Sequence, residues 1–169
     1  MLSNPMLKPF RTYTHATTGL IFFTAMSGAF VAGLDAGLIY NEFPYMGNSL
    51  IPSDMWAISD GSTLGVDPKP WYLNFLENPA TVQFDHRVLA MLTATSVFSL
   101  WVYARKLKLP KNARYAVNSL LGVCILQVSL GISTLIWLVP VPLAAAHQAG
   151  SLTLLSTALW LMHTLKRIK

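Results

Sequence analysis

Histidine is the side chain here best suited to chemistry, and four occur: His15, His86, His147 and His163. Each lies in or beside a long apolar run. An ionisable group inside a bilayer is costly, so each is a candidate for function. His86 precedes Arg105 by 19 positions, and His147 precedes Lys166 by the same 19. At about 1.5 Å per helical residue, each imidazole lies roughly 28 Å from a basic boundary. Two imidazoles at one depth on separate helices can grip a planar metal macrocycle from both faces, as in a bis-histidine b-type haem inside a four-helix bundle. Either histidine alone reads as a boundary residue bonded to loop backbone; the shared depth favours His86 and His147 as axial ligands of haem iron. The haem would be held without covalent bonds. There is no CxxCH motif, and the lone Cys124 sits in an apolar run where no intrachain disulfide can form.

The neighbours fit a flat cofactor. Ala90, Thr93 and Ala94 follow His86 on its helix face, and Ala144, Ala146, Gly150 and Ser151 surround His147. The same small residues would also permit close helix packing. Arg87 is expected either to pair with a haem propionate or to anchor the helix at the interface. Asp85 is expected to orient a ligand or cap the helix start. His15 and His163 lie near basic residues and read as interfacial. Gln127, in mid-run, is expected to bond across helices. No catalytic residue is assigned.

These residues need helices to position them. Apolar residues make up 53% of the 169 and charged residues only 11%, against about 25% charged in soluble domains. Four stretches approach the ~20 apolar residues that a membrane helix requires: about 14–34, 84–104, 113–138 and 143–163. The expected fold is an all-α integral membrane domain over residues 1–169, a four-transmembrane-helix bundle with the lipid bilayer as its partner. A long loop separates the first two helices, with one or two short interfacial helices in it and Asp54 and Asp60 as caps. Small residues at Ala25, Ala29, Gly33 and Gly37 form a stripe expected to serve helix packing.

Charge sets the orientation. All seven acids lie between Asp35 and Asp85. Ten of the twelve bases sit at the termini or between the second and third spans: Lys8, Arg11, Arg105, Lys106, Lys108, Lys111, Arg114, Lys166, Arg167 and Lys169. Bases at the ends of apolar runs are a topology signal rather than a nucleic-acid footprint, so no nucleic acid is expected as a partner. The basic side faces the mitochondrial matrix or bacterial cytoplasm, and the long loop faces the opposite, P-side compartment. Residues 1–13 are polar and proline-bearing, and the apolar run after them is too long for a signal core. Neither a signal nor a clear transit peptide is read there, and Met1 can be internal to a longer natural chain.

Three segments, GAFVAGLDAGLIYNEFPYMG (28–47), VQFDHR (82–87) and VPVPLAAAHQAGSL (139–152), closely resemble the C-terminal half of haem A synthase of the mitochondrial and proteobacterial type. The resemblance runs from about His15 to the end. It implies a protein of two fused four-helix bundles. The N-terminal half would take haem O and carry a catalytic glutamate three positions before a histidine. The C-terminal half would hold haem b, with His86 and His147 at the ligand positions. It also implies oxidation of the haem O methyl group to the formyl group of haem A, which serves cytochrome c oxidase. Here Gln83 stands three positions before His86, no glutamate lies in any span, and the loops lack the cysteine pair of some members.

The leading expectation is therefore the haem b-binding half of a haem A synthase, with hydroxylation by this chain alone in doubt. Expected partners are haem O and haem A, an N-terminal four-helix half or a second copy, an electron donor and haem O synthase. GLIYNEFPYMG points to the mitochondrial inner membrane with matrix termini; the alternative is a bacterial plasma membrane with cytoplasmic termini. The competing function is a non-enzymatic bis-histidine electron carrier. A channel or transporter is disfavoured because further mid-membrane charges are missing.

Overall fold

A computed structural model describes residues 6–61 and 67–166. Four long helices dominate it: α1 (Leu7–Gly33), α3 (Pro79–Arg105), α4 (Lys111–Ile136) and α5 (Val141–Lys166). The short α2 (Asn74–Glu77) lies between the first two, with single 3-10 turns at Ala36–Leu38 and Trp71–Leu73. α1, α3 and α4 are long and apolar enough to cross a membrane. α5 is nearly as long but is not among these; it carries His147, Gln148 and His163 along its length.

Helix ends follow local chemistry. α3 begins where the Asn78 side chain accepts from Ala80 N–H at 3.0 Å, with Pro79 in the first helical position. The start therefore precedes residue 84, and Asp85 is a residue of the helix body rather than its cap. α1 likewise starts at Leu7, seven residues before the apolar run, because the polar residues of its first turns remain helical. Pro110 separates α3 from α4, and its carbonyl accepts from Arg114 N–H at 3.0 Å. Between α4 and α5, Leu138 and Val139 both take left-handed backbone angles (φ 60° and 56°) before Pro140. The basic residues Arg167 and Lys169 lie outside the described residues.

Side-chain hydroxyls within the helices bond inward. Thr14 donates to the Phe10 carbonyl at 2.9 Å and Thr18 to the Thr14 carbonyl at 2.8 Å, as polar groups in lipid must. α1 packs on α3 and α5, and α4 packs on the same two helices. α3 and α5 therefore stand at opposite corners of the square.

The main buried apolar cluster lies at one end, with Ala36, Met46, Ala80 and Val82 buried apart from it. Phe10 and Ile21 of α1, Val97 and Leu100 of α3, Val117, Leu120 and Cys124 of α4, and Leu154, Leu161 and Leu165 of α5 form one cluster. All belong to the end bearing Arg105, Lys111 and Lys166. Toward the other end, where residues 34–61 and 67–78 lie, this cluster has no members.

That loop is tied to the helices by backbone acceptors. Asn41 Nδ2 donates to the Leu135 carbonyl at 2.9 Å, and Asn78 Nδ2 to the Asp54 carbonyl at 2.8 Å. Neither Asp54 nor Asp60 starts a helix. The Asp54 carboxylate instead accepts from the Tyr40 hydroxyl at 2.8 Å, which binds one part of the loop to another.

The expected small-residue stripe does not mediate packing along its length. Ala29 and Gly33 are exposed, and a Cβ on Gly33 would meet nothing within 4 Å. α1 turns a different face to α3, formed by Thr17, Thr24, Ser27 and Gly28. Thr17 meets Ser96, and Thr24 meets Thr93, through hydroxyl pairs of 2.8 and 2.7 Å.

Candidate functional site

His86 and His147 lie about two turns into α3 and α5, at the end the main apolar cluster does not reach. Each is 19 residues from the last residue of its helix. The two are close enough for charge on one to act on the other. They approach from opposite corners, so each imidazole is braced by the neighbouring helix rather than by its partner's helix.

Glycine provides both braces. A Cβ built on Gly28 of α1 would lie 3.1 Å from His86 Cε1, and one on Gly131 of α4 only 2.8 Å from His147 Cε1. Any larger residue would push the rings aside. Polar support differs between the two. Ser27 Oγ lies 2.8 Å from His86 Nδ1, whereas His147 Nδ1 is buried without a hydrogen-bond partner. Gln127 bridges α4 to α5 by donating from Nε2 to the His147 carbonyl at 2.9 Å, the cross-helix bond its sequence position suggests. Its Oε1 is buried and unpartnered, and fills the space left by Gly150, where a methyl group would overlap it.

Arg87 faces the loop. Its guanidinium donates to the Tyr40 carbonyl at 2.9 Å and the Tyr45 carbonyl at 3.0 Å, while Nε is buried without a partner. Gln83, almost fully buried, donates to the same Tyr40 carbonyl at 3.0 Å. The ring nitrogen of His86 is oriented by Ser27, not by Asp85. His15 and His163 are exposed at the basic end, away from the pair.

These residues fit a haem. The donor set is two imidazoles and no carboxylate or thiolate cluster; among the described residues no group of three or more metal-ligating acids, cysteines and histidines occurs. Two glycines cradle the rings, buried polar atoms lack partners beside them, and the main apolar cluster does not extend to them. Sequence reasoning singled out the histidines, Gln127 and Arg87 as candidates. It missed Ser27, Gly28 and Gly131, whose roles depend on which helices become neighbours.

Comparison with known proteins gives a family. The family model COX15-CtaA, described as a cytochrome oxidase assembly protein, matches residues 1–159. The chain belongs to the COX15-CtaA family. Within that family it is 52% identical over 158 residues to "Heme A synthase COX15" of Bos taurus, covering 94% of this chain and 36% of that protein. The Homo sapiens protein of the same name is 50% identical with the same coverage. "Heme A synthase" of Nitrosospira multiformis is 42% identical over 165 residues, 98% of this chain and 44% of that protein. The chain thus spans between a third and a half of the length of these COX15-CtaA relatives. No solved structure matches it. The haem A synthase resemblance read from residues 28–47, 82–87 and 139–152 agrees with this membership.

Proposed function

We propose that this chain is the haem b-holding half of a haem A synthase and acts in haem A biosynthesis for cytochrome c oxidase assembly. One observation carries the reading: His86 and His147 converge from opposite corners at the end of the bundle beyond the main apolar cluster, each ring seated against a glycine of the neighbouring helix. Family membership and the names of the relatives support it.

In this reading all four long helices span the mitochondrial inner membrane, α5 included. His147 is half-buried against α4, and the Ser151, Thr153 and Ser156 hydroxyls donate to carbonyls of their own helix, which lowers their cost in lipid. The basic end lies in the matrix and residues 34–61 and 67–78 cover the opposite face. His86 and His147 ligate the iron, and haem held there supplies a one-electron redox centre. Gly28 and Gly131 set how far the imidazoles reach. Gln127 fixes the backbone of α5 at His147. Arg87 holds the loop over the site through the Tyr40 and Tyr45 carbonyls, with Nε left to donate to a propionate.

Oxidation of the haem O methyl group is assigned to another four-helix unit of the longer protein, either fused to this one or provided by a partner, with its own electron donor. Gln83 stands where that unit would carry a glutamate. A second reading, a stand-alone b-type electron carrier, draws on this same substitution, since an amide cannot serve as general base.

The test is reconstitution of the purified chain with haem. A low-spin bis-histidine spectrum is expected, lost in both His86→Ala and His147→Ala. A wild-type chain that takes up no haem would overturn the assignment. Haem A formation from haem O only after adding a second four-helix unit supports the synthase half, and none under any pairing supports the carrier.

A further inference from the structure

We propose that Ser27 is a positioning residue that fixes the His86 imidazole with its hydrogen on Nδ1 and its lone pair on Nε2. A serine hydroxyl has one hydrogen to give. Ser27 Oγ donates it to the Thr24 carbonyl at 2.8 Å. Toward His86 Nδ1, also 2.8 Å away, the oxygen can then act only as acceptor. The Thr24 carbonyl faces the imidazole as well and has no hydrogen to offer. Every polar neighbour of Nδ1 is therefore an acceptor, and the ring hydrogen belongs there.

Thr24 is itself held. Its hydroxyl donates to the Leu20 carbonyl at 2.9 Å and pairs with Thr93 Oγ1 at 2.7 Å, which ties this part of α1 to α3. Gly28, next in sequence, lets α1 approach closely enough for the serine to reach the ring. His147 has no side-chain counterpart: the Gln127 carbonyl faces its ring, but its Nδ1 makes no hydrogen bond. The two imidazoles thus differ: a hydroxyl on the neighbouring helix holds one, and no side chain holds the other.

The consequence for haem rests on the proposed function; the tautomer does not. An acceptor on the distal ring nitrogen orients a metal-bound imidazole and raises its basicity. A more basic axial ligand favours ferric over ferrous iron.

The full chain in lipid nanodiscs, labelled with ¹⁵N-histidine, tests the first part without haem. His86 should show hydrogen on Nδ1 and a bare Nε2. Ser27→Ala should give a tautomer mixture, with Ser27→Thr restoring the wild-type signal and His147 unchanged throughout. In the haem-loaded chain, Ser27→Ala should raise the midpoint potential by up to one decade in the ferric-to-ferrous ratio, 59 mV for one electron. It should also weaken haem retention by roughly 10–100-fold. Hydrogen on Nε2 of His86 in the wild type would overturn the proposal, and that measurement needs no variant. So would Ser27→Ala leaving both tautomer and potential unmoved. A wild type with the expected tautomer that binds no haem supports the hold on the ring while overturning the proposed function.

Discussion

Gly131→Ala tests the site most directly, because it replaces one hydrogen by a methyl group at a single point. The new Cβ would stand 2.8 Å from His147 Cε1. Carbon atoms settle at about 3.5–4.0 Å, so the ring must retreat or α4 and α5 must part. Overpacking of this kind costs about 1–3 kcal/mol. At about 1.4 kcal/mol per tenfold, haem affinity should fall roughly 5–150-fold. Gly28→Ala makes a milder contact, 3.1 Å to His86 Cε1, and its loss should lie at the low end of that range. Gly122→Ala is the control. A Cβ there meets nothing within 4 Å, and replacing a helical glycine stabilises by up to about 1 kcal/mol. Titrating haem into the three purified variants and following its visible absorbance ranks them. If Gly131→Ala binds haem as tightly as Gly122→Ala, the imidazole is not braced there and the geometry is wrong.

Two further predictions concern the loop. Arg87→Ala removes the donors to the Tyr40 and Tyr45 carbonyls, each charge-assisted bond being worth about 1.5–3 kcal/mol at most. Limited proteolysis should cut within residues 34–78 faster than in the wild type, leaving the four long helices intact. The Tyr40 hydroxyl has its pKa raised to about 12 by burial, the hydrogen bond to Asp54 and the Asp54 charge, in that order. A pKa raised by folding means that the link contributes fully below the ordinary phenol value near 10 and is lost as pH climbs from there toward 12. Phenolate absorbance should show a late-titrating component that is lost in Tyr40→Phe and shifted earlier in Asp54→Asn.

The depth of the histidine pair was legible from counting alone, because a helix converts sequence separation into distance. Four long helices were legible too, since lipid demands long apolar runs. Gln127 stood out as an amide inside such a run. What could not be read was facing. Helices apolar on every side give no periodic signal of which side is inward, so the stripe at Ala25, Ala29 and Gly33 looked like the packing face when the hydroxyl-bearing face of Thr24 and Ser27 was. Helix starts were placed late because hydropathy ignores capping, and Asn78 with Pro79 decides where α3 begins. The loop was opaque because its order comes from side chains finding backbone carbonyls far away in sequence, as Gln83 and Arg87 both find Tyr40.

The one-sided placement of the main apolar cluster gives the two ends of the bundle different tolerances. The basic end rests on many non-directional contacts, which absorb small shifts of a helix. The opposite end adds directional bonds between helices and loop, from Thr24 to Thr93, Asn41 to Leu135 and Gln83 to Tyr40. A single misplaced donor there strands a buried partner, so substitutions at that end act through geometry before they act through volume.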